Sequence, residues 1–165
     1  MEKTNVMRIL DQKKIKYCEH FYSSDITNGE EVAKILGQDP DTVYKTLVTI
    51  GSDKRNYVFV IPVNKNLDLK KAAKFVNVKS IEMIKQKDLL PLTGYIHGGC
   101  SPIGMKKLFT TVIDSSVLTK EKICCSGGKV GCQIEVSPID IINITKAKTS
   151  EIVVESNDWN ILWQK

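Results

Sequence analysis

Two glycine-rich segments hold the residues whose types and spacing could do chemistry. The first is Gly94-Tyr-Ile-His-Gly-Gly-Cys-Ser-Pro-Ile-Gly104, followed at once by Met105-Lys106-Lys107. The short apolar run Tyr95-Ile96 reads as a strand leading into Gly98-Gly99, and Ser101-Pro102 is a turn signal. Paired glycines after a strand allow φ > 0 and close approach of a ligand to the main chain. Such a segment can aim bare N–H groups at an oxyanion or a phosphate. The second segment, Ser126-Gly-Gly-Lys-Val-Gly131, follows another apolar run. Two glycine turns at strand ends, each with lysine nearby, read as the two rims of one pocket. A pair of tight turns in a β-rich domain would leave the same trace.

Lys45 is the third point of interest. It lies in Val43-Tyr-Lys-Thr-Leu-Val48, where a helical turn passes into an apolar strand, so its ammonium stands at the rim of a sheet. A lysine there either snorkels into solvent or meets an anion. No G-x-S-x-G elbow, P-loop, G-x-G-x-x-G or H-E-x-x-H pattern occurs. His97 and Cys100, three positions apart on an extended segment, point to opposite faces, which argues against a thiol–imidazole pair. The five cysteines (Cys18, Cys100, Cys124, Cys125, Cys132) and two histidines (His20, His97) include no C-x-x-C pair. A zinc site would have to be assembled from scattered residues, and vicinal Cys124-Cys125 on a strand point to opposite faces. No metal and no cofactor are expected.

The whole chain sets the frame for these residues. Its 165 residues, with 42% hydrophobic and 26% charged side chains, fit one globular domain able to bury a core without staples. The odd cysteine count reads as free thiols. With no apolar stretch at the N-terminus and no run near the roughly 18 residues that cross a bilayer, a cytoplasmic protein is expected, away from membranes. Net charge is +5 but unevenly spread: Lys65 to Lys107 holds nine lysines against Asp68, Glu82 and Asp88. That basic stretch suits a polyanion such as RNA, although lysine is also the common solvated surface cation.

Periodicity and punctuation then place the elements. Thr4 caps a helix carrying Val6, Ile9 and Leu10, and Ile15–Tyr22 reads as a strand. Asn28 opens a second helix with Val32, Ile35 and Leu36 apolar, stopped by Gly37. Asp39-Pro40 starts a helical turn. Tyr44–Ile50 and Tyr57–Val63 form a β-hairpin. Asp68 caps a helix with Leu69, Ala72, Ala73 and Val76 on one face. Val78–Met83 reads as a short strand, and Lys85–Leu90 as a short helix ending before Pro91. Strands follow near Leu108–Ile113, Ile123–Cys125 and Cys132–Val136, the last two joined by the second glycine turn. Pro138–Asn143 fits helix or strand equally. Residues 149–165 form a tail with Trp159 and Trp163 whose packing the pattern does not fix. The fold expected is α+β: one domain with a mixed, mostly antiparallel sheet, curled and barrel-like, flanked by helices.

In consistent order over roughly residues 4–145, Val43-Tyr-Lys-Thr-Leu-Val48, Ile61-Pro-Val63, Leu67-Asp-Leu-Lys-Lys-Ala72, the first glycine segment and Ser126-Gly-Gly-Lys-Val-Gly131 resemble the YbaK-type aminoacyl-tRNA deacylases. These are free-standing relatives of the editing domain inserted in bacterial prolyl-tRNA synthetases. The resemblance implies that residues 1–165 are one such editing domain, that aminoacyl-tRNA, chiefly Cys-tRNA(Pro), is the substrate, and that prolyl-tRNA synthetase is a candidate partner. It implies that Lys45 is the essential lysine at the tRNA 3′-terminal phosphate region, and that Gly98 and Gly99 form the backbone segment contacting the aminoacyl carbonyl. Tyr22, Thr46, His97, Ser126 and Gly127 fall with the substrate-binding positions. The chain departs from the family where Thr27-Asn28-Gly29 lacks a preceding phenylalanine, where Val130 replaces a common arginine, and where Gln133 replaces an acid found in some members. These departures bear on amino-acid selectivity more than on the reaction.

The chemistry so implied needs no triad. The cysteine of the mischarged tRNA can attack its own ester carbonyl, a unimolecular step that proximity favours by up to about 7–11 kcal/mol. Three alternatives stay open on sequence: a water-using Ala-tRNA(Pro) deacylase, a non-catalytic tRNA- or synthetase-binding module, and a free-thiol redox protein.

Overall fold

Side-chain caps begin the helices where short-range chemistry dictates. In this computed structural model, which describes residues 2–155, the Thr4 hydroxyl accepts from the Met7 N–H at 3.2 Å and opens α1 (Asn5–Gln12). The Asn28 side chain accepts from the N–H groups of Glu30 and Glu31 and opens α2 (Gly29–Ile35). Asp39 caps a 3-10 turn (Pro40–Thr42), and Asp68 caps α3 (Leu69–Val76). Each cap satisfies donors that the first turn leaves without partners. Two further helices are α4 (Gln86–Thr93) and α5 (Pro138–Thr145), so the Pro138 segment is helical, with proline in the first turn where its missing N–H costs nothing.

The strands are β1 (Tyr17–Phe21), β2 (Tyr44–Gly51), β3 (Asn56–Pro62), β4 (Ile81–Met83), β5 (Thr110–Asp114), β6 (Ile123–Ser126), β7 (Cys132–Val136) and β8 (Lys148–Ser150). They form two sheets. One is antiparallel, in the order β1-β7-β6; the other is mixed, in the order β4-β2-β3-β5-β8, with β3, β5 and β8 parallel. The fold is thus α+β with helices around mixed and antiparallel sheets, as expected, but among the described residues the strands divide between two sheets and close no barrel. A single bridge, Val43 to Cys124, joins the start of β2 to β6.

Alternation along β3 explains how the layers stack. Val58 and Val60 enter the large cluster shared with α1, β6, β7 and α5, whereas Tyr57, Phe59 and Ile61 enter a second cluster under α3 with Ala72, Ala73 and Val112. A central strand buried on both faces reads as one continuous apolar run. A third, small cluster of Ala33, Val43, Val63 and Cys124 lies at the junction. Vicinal Cys124 and Cys125 do point to opposite sides, since Cys125 belongs to the large cluster.

Several local expectations change. α4 runs through Pro91 to Thr93; the missing N–H withdraws a bond from the carbonyl of Lys87, an exposed residue, and Gly94 closes the helix at φ +89°. Tyr95-Ile96 is consequently no strand but the exit from that helix. Ile35 and Leu69 are exposed, so α2 buries Val32 and Ala33 and α3 buries Ala72 and Ala73 instead. Trp159 and Trp163 lie outside the described residues.

Candidate active site at the junction of the two sheets

Where the two sheets meet, a cavity of about 100 Å³ opens beside the start of β2. β2 contributes Tyr44, Lys45 and Thr46; β6 contributes Cys125 and Ser126; β7 contributes Gln133. Tyr22, just past β1, and Thr27, before α2, close one side, and Gly98 and Cys100 of the first glycine segment close another. Of the residues expected from sequence, Lys45, Thr46, Tyr22, Gly98 and Ser126 therefore converge on one cavity.

The two glycine segments meet as two rims must. Gly98 has φ +85°, and a Cβ there would fall 2.8 Å from Thr27 Cβ. A Cβ on Gly99 would fall 2.8 Å from the Val130 nitrogen, so the first segment lies directly on the second. The Gly99 N–H donates to the Ile96 carbonyl at 3.0 Å, closing a turn whose third residue is Gly98, where positive φ is required. This separates the two glycines in role. Gly99 spends its N–H inside the turn, while the Gly98 N–H has no hydrogen-bond partner among the described residues. Gly127 is also engaged within its own turn: its N–H donates to the Cys132 carbonyl at 2.9 Å, and a Cβ would meet Cys132 Sγ at 2.6 Å. His97 stands exposed at the outer corner of the turn. Gly99, Gly127 and His97 do not line the cavity.

Lys45 is half-buried and makes no ion pair among the described residues. Burial pushes its pKa down, and the charge of Glu30 works in the opposite direction. Next to it the Thr46 hydroxyl is buried with no hydrogen-bond partner. An unpaired cation and an unpartnered buried hydroxyl on adjacent residues are costly to hold in a folded chain. Burial raises the Cys100 thiol to about 12, so it is protonated at neutral pH and unsuited to nucleophilic attack. Neither carboxylate nor imidazole is among the lining side chains. Ser126 is oriented by its own turn, its hydroxyl accepting from the Gly128 N–H at 3.1 Å.

Sequence reasoning noted Gln133 only as a departure from a family pattern. It lines the cavity and exchanges two hydrogen bonds with Gln38, at 2.7 and 3.0 Å. Gln38 carries no local signal beyond its position after the Gly37 stop.

Residues 24–144 match the family of aminoacyl-tRNA editing domains. The chain belongs to that family. An Enterococcus faecalis protein provisionally named Cys-tRNA(Pro)/Cys-tRNA(Cys) deacylase EbsC is 44% identical over 156 residues, spanning 93% of this chain and 95% of its own. A proline–tRNA ligase of Shouchella clausii is 26% identical over 129 residues, 78% of this chain but 22% of the ligase. The editing domain also superposes on a solved structure, provisionally described as a trans-editing enzyme for prolyl tRNA synthetase, with a TM-score of 0.80 at 20% identity, covering 94% of this chain and all of that one. Among the described residues, this editing domain has no helix long and apolar enough to cross a membrane.

Proposed function

We propose that this protein is a deacylase that removes cysteine from mischarged tRNA(Pro). The observation that carries the reading is the junction cavity itself: it is lined by a Lys45 cation without an ion-pair partner among the described residues, and by no general base of the usual kinds. The family and the name of the Enterococcus relative support it. Lys45 takes the phosphate region of the tRNA 3′ end, where a point charge on a flexible stem suffices. Thr46, Tyr22 and Ser126 surround the cysteinyl group, and the Gly98 N–H faces the ester carbonyl.

The chemistry then belongs to the substrate. The cysteinyl sulfur attacks its own carbonyl carbon, forming a C–S bond and a four-membered thiolactone. The ester C–O bond breaks, the thiol proton ends on the ribose oxygen, and the tRNA leaves. Water opens the thiolactone to free cysteine. Confinement of thiol and carbonyl supplies part of the about 7–11 kcal/mol available from proximity, less the strain of the small ring. One well-placed oxyanion donor is worth roughly 3 kcal/mol. The partial likeness to proline–tRNA ligase makes the synthetase a candidate partner that would hand over its mischarged product.

The test is deacylation of Cys-tRNA(Pro), Cys-tRNA(Cys), Ser-tRNA(Pro) and Ala-tRNA(Pro) by wild type, Lys45→Ala and Cys100→Ala. The cysteinyl substrates should turn over fastest, since a hydroxyl is a much weaker nucleophile and alanine has none. Lys45→Ala should be severely impaired and Cys100→Ala nearly normal. Fastest loss of alanine would replace self-cleavage with water attack. Binding without release of any amino acid would reduce the protein to a tRNA-binding module.

A further inference from the structure

The face of the β1-β7-β6 sheet that turns away from the large cluster carries one candidate metal ligand from each strand. His20 (β1), Glu135 (β7) and Cys124 (β6) each offer an atom, and these atoms all lie within 4.8 Å of one another. Strand register creates the grouping: Cys124 pairs directly with Glu135, and His20 pairs with Gln133, two residues along, placing it diagonally across from Glu135. His20 Nε2 and Glu135 Oε1 are 2.8 Å apart. Around tetrahedral zinc, the usual bond lengths set ligand–ligand separations of roughly 3.4–3.6 Å. The imidazole–carboxylate contact would need to open by about 0.6 Å, and the sulfur to draw in by up to about 1.2 Å. Cys124 is 4% exposed, while the side chains of His20 and Glu135 are each about one-third exposed. An ion can thus enter from solvent, and water can take the fourth position. Outside the three, the Gln38 amide nitrogen sits 3.7 Å from Cys124 Sγ, a donor suited to a thiolate.

We propose that His20, Glu135 and Cys124 form a binding site for one borderline-soft divalent cation, Zn²⁺ foremost, with water completing the shell. Thiolate, imidazole and carboxylate together select zinc over the hard cations magnesium and calcium. On binding, the S–H bond breaks and its proton goes to solvent as an S–Zn bond forms; the proton shared by His20 Nε2 and Glu135 Oε1 passes by way of solvent to His20 Nδ1, leaving Nε2 and Oε1 each free to bond the metal. Such a site fastens all three strands of the small sheet, including its edge strand β1. Through Gln38 and Gln133 it adjoins the cavity without entering it, so the deacylation chemistry above does not depend on it. This assembly from scattered strands is what linear spacing concealed.

The test is titration of the full-length protein with Zn²⁺ and Co²⁺, followed by absorbance and thermal melting. One ion per chain should bind. Cobalt should show a thiolate charge-transfer band with the intense visible bands of a four-coordinate ion, and zinc should raise Tm. Cys124→Ser should abolish the charge-transfer band and weaken binding by more than the roughly 10–100-fold that losing an outer-sphere partner costs. His20→Ala, at a partly exposed position, should also abolish four-coordinate cobalt and the zinc-dependent rise in Tm while leaving the metal-free Tm near wild type. Cys18→Ser should retain the band. Absence of saturable binding, a spectrum unchanged in Cys124→Ser, or a band that depends on Cys18 instead would overturn the proposal.

Discussion

Lys45 and Thr46 each hold a polar group without a partner among the described residues. Burial depresses the Lys45 pKa below the 10.5 at which the unfolded chain titrates, and Glu30 restores part of it. Between the depressed value and 10.5 the unfolded state binds more protons, so this residue's contribution to stability rises with pH in that window. Below the window both states are protonated, and the folded state bears the whole penalty of a half-buried cation. Lys45→Met should therefore raise Tm at neutral pH by roughly 1–3 °C, given that ~1 kcal/mol moves Tm by about 2–4 °C at this size. The same variant should lose deacylase activity by on the order of a hundredfold or more. Thr46→Val keeps the shape and removes a buried hydroxyl without a partner, so urea unfolding should show a gain of about 1 kcal/mol. Its kcat/KM should fall by roughly three- to tenfold, the worth of one hydrogen bond. A stable and active Lys45→Met would show that the cation does not meet the substrate.

At the scale of elements, the cavity exists because two turns touch, and glycine substitutions separate that contact from ordinary backbone freedom. Gly99→Ala would set a Cβ 2.8 Å from the Val130 nitrogen and 3.0 Å from Lys129 carbon, both main-chain atoms that cannot swing aside. We expect a loss of about 1–3 kcal/mol in denaturant unfolding, as for overpacked sites, and reduced activity, because Ser126 is carried by the displaced turn. Gly37 makes the contrast. It has φ +67° with nothing within 4 Å of an added Cβ, so Gly37→Ala should cost about 1–2 kcal/mol from left-handed backbone alone and leave kcat/KM unchanged. Elements of the first kind of contact were hard to read from sequence, and those closed within a few residues were easy. Thr4, Asn28, Asp39 and Asp68 announce helix starts because each cap binds an N–H two or three positions on. The β2–β3 hairpin is equally local, with Lys45 opposite Ile61. Gln38 and Gln133 are 95 positions apart, and Val43 meets Cys124 only because two sheets converge. The alternation of β3 tells that both its faces are buried but not which helix or sheet covers each, and hence not where the sheets part to leave a cavity.

The whole molecule presents a net charge of +5, and its lysines are distributed over several surfaces. Lys70, Lys74 and Lys79 border one groove between α3 and β4; Lys71 is tied to Glu151 at 2.9 Å; Lys106 lies against the Pro91 carbonyl at the exit of α4. Of all these cations Lys45 alone lines the junction cavity. The proposed function therefore separates two kinds of electrostatic work in space: one half-buried charge for the reacting end, and a diffuse field for the body of a polyanion. They respond differently to salt. The diffuse field acts through counterion release, and about three single-strand phosphate contacts give a slope of roughly −2 in log affinity against log salt. Raising salt from about 50 to about 200 mM should then lower kcat/KM for full-length tRNA by roughly 10–20-fold, nearly all of it through KM. Lys45, shielded by burial, is screened far less, so single-turnover deacylation of saturating substrate should change little. A cysteinyl ester on a short 3′-terminal oligonucleotide reports the division directly. It should show a much shallower salt slope than the tRNA, while Lys45→Ala should impair both substrates by the same factor in the chemical step. Equal salt slopes for the two substrates would place all of the electrostatic recognition at the junction and none on the lysine-rich surfaces.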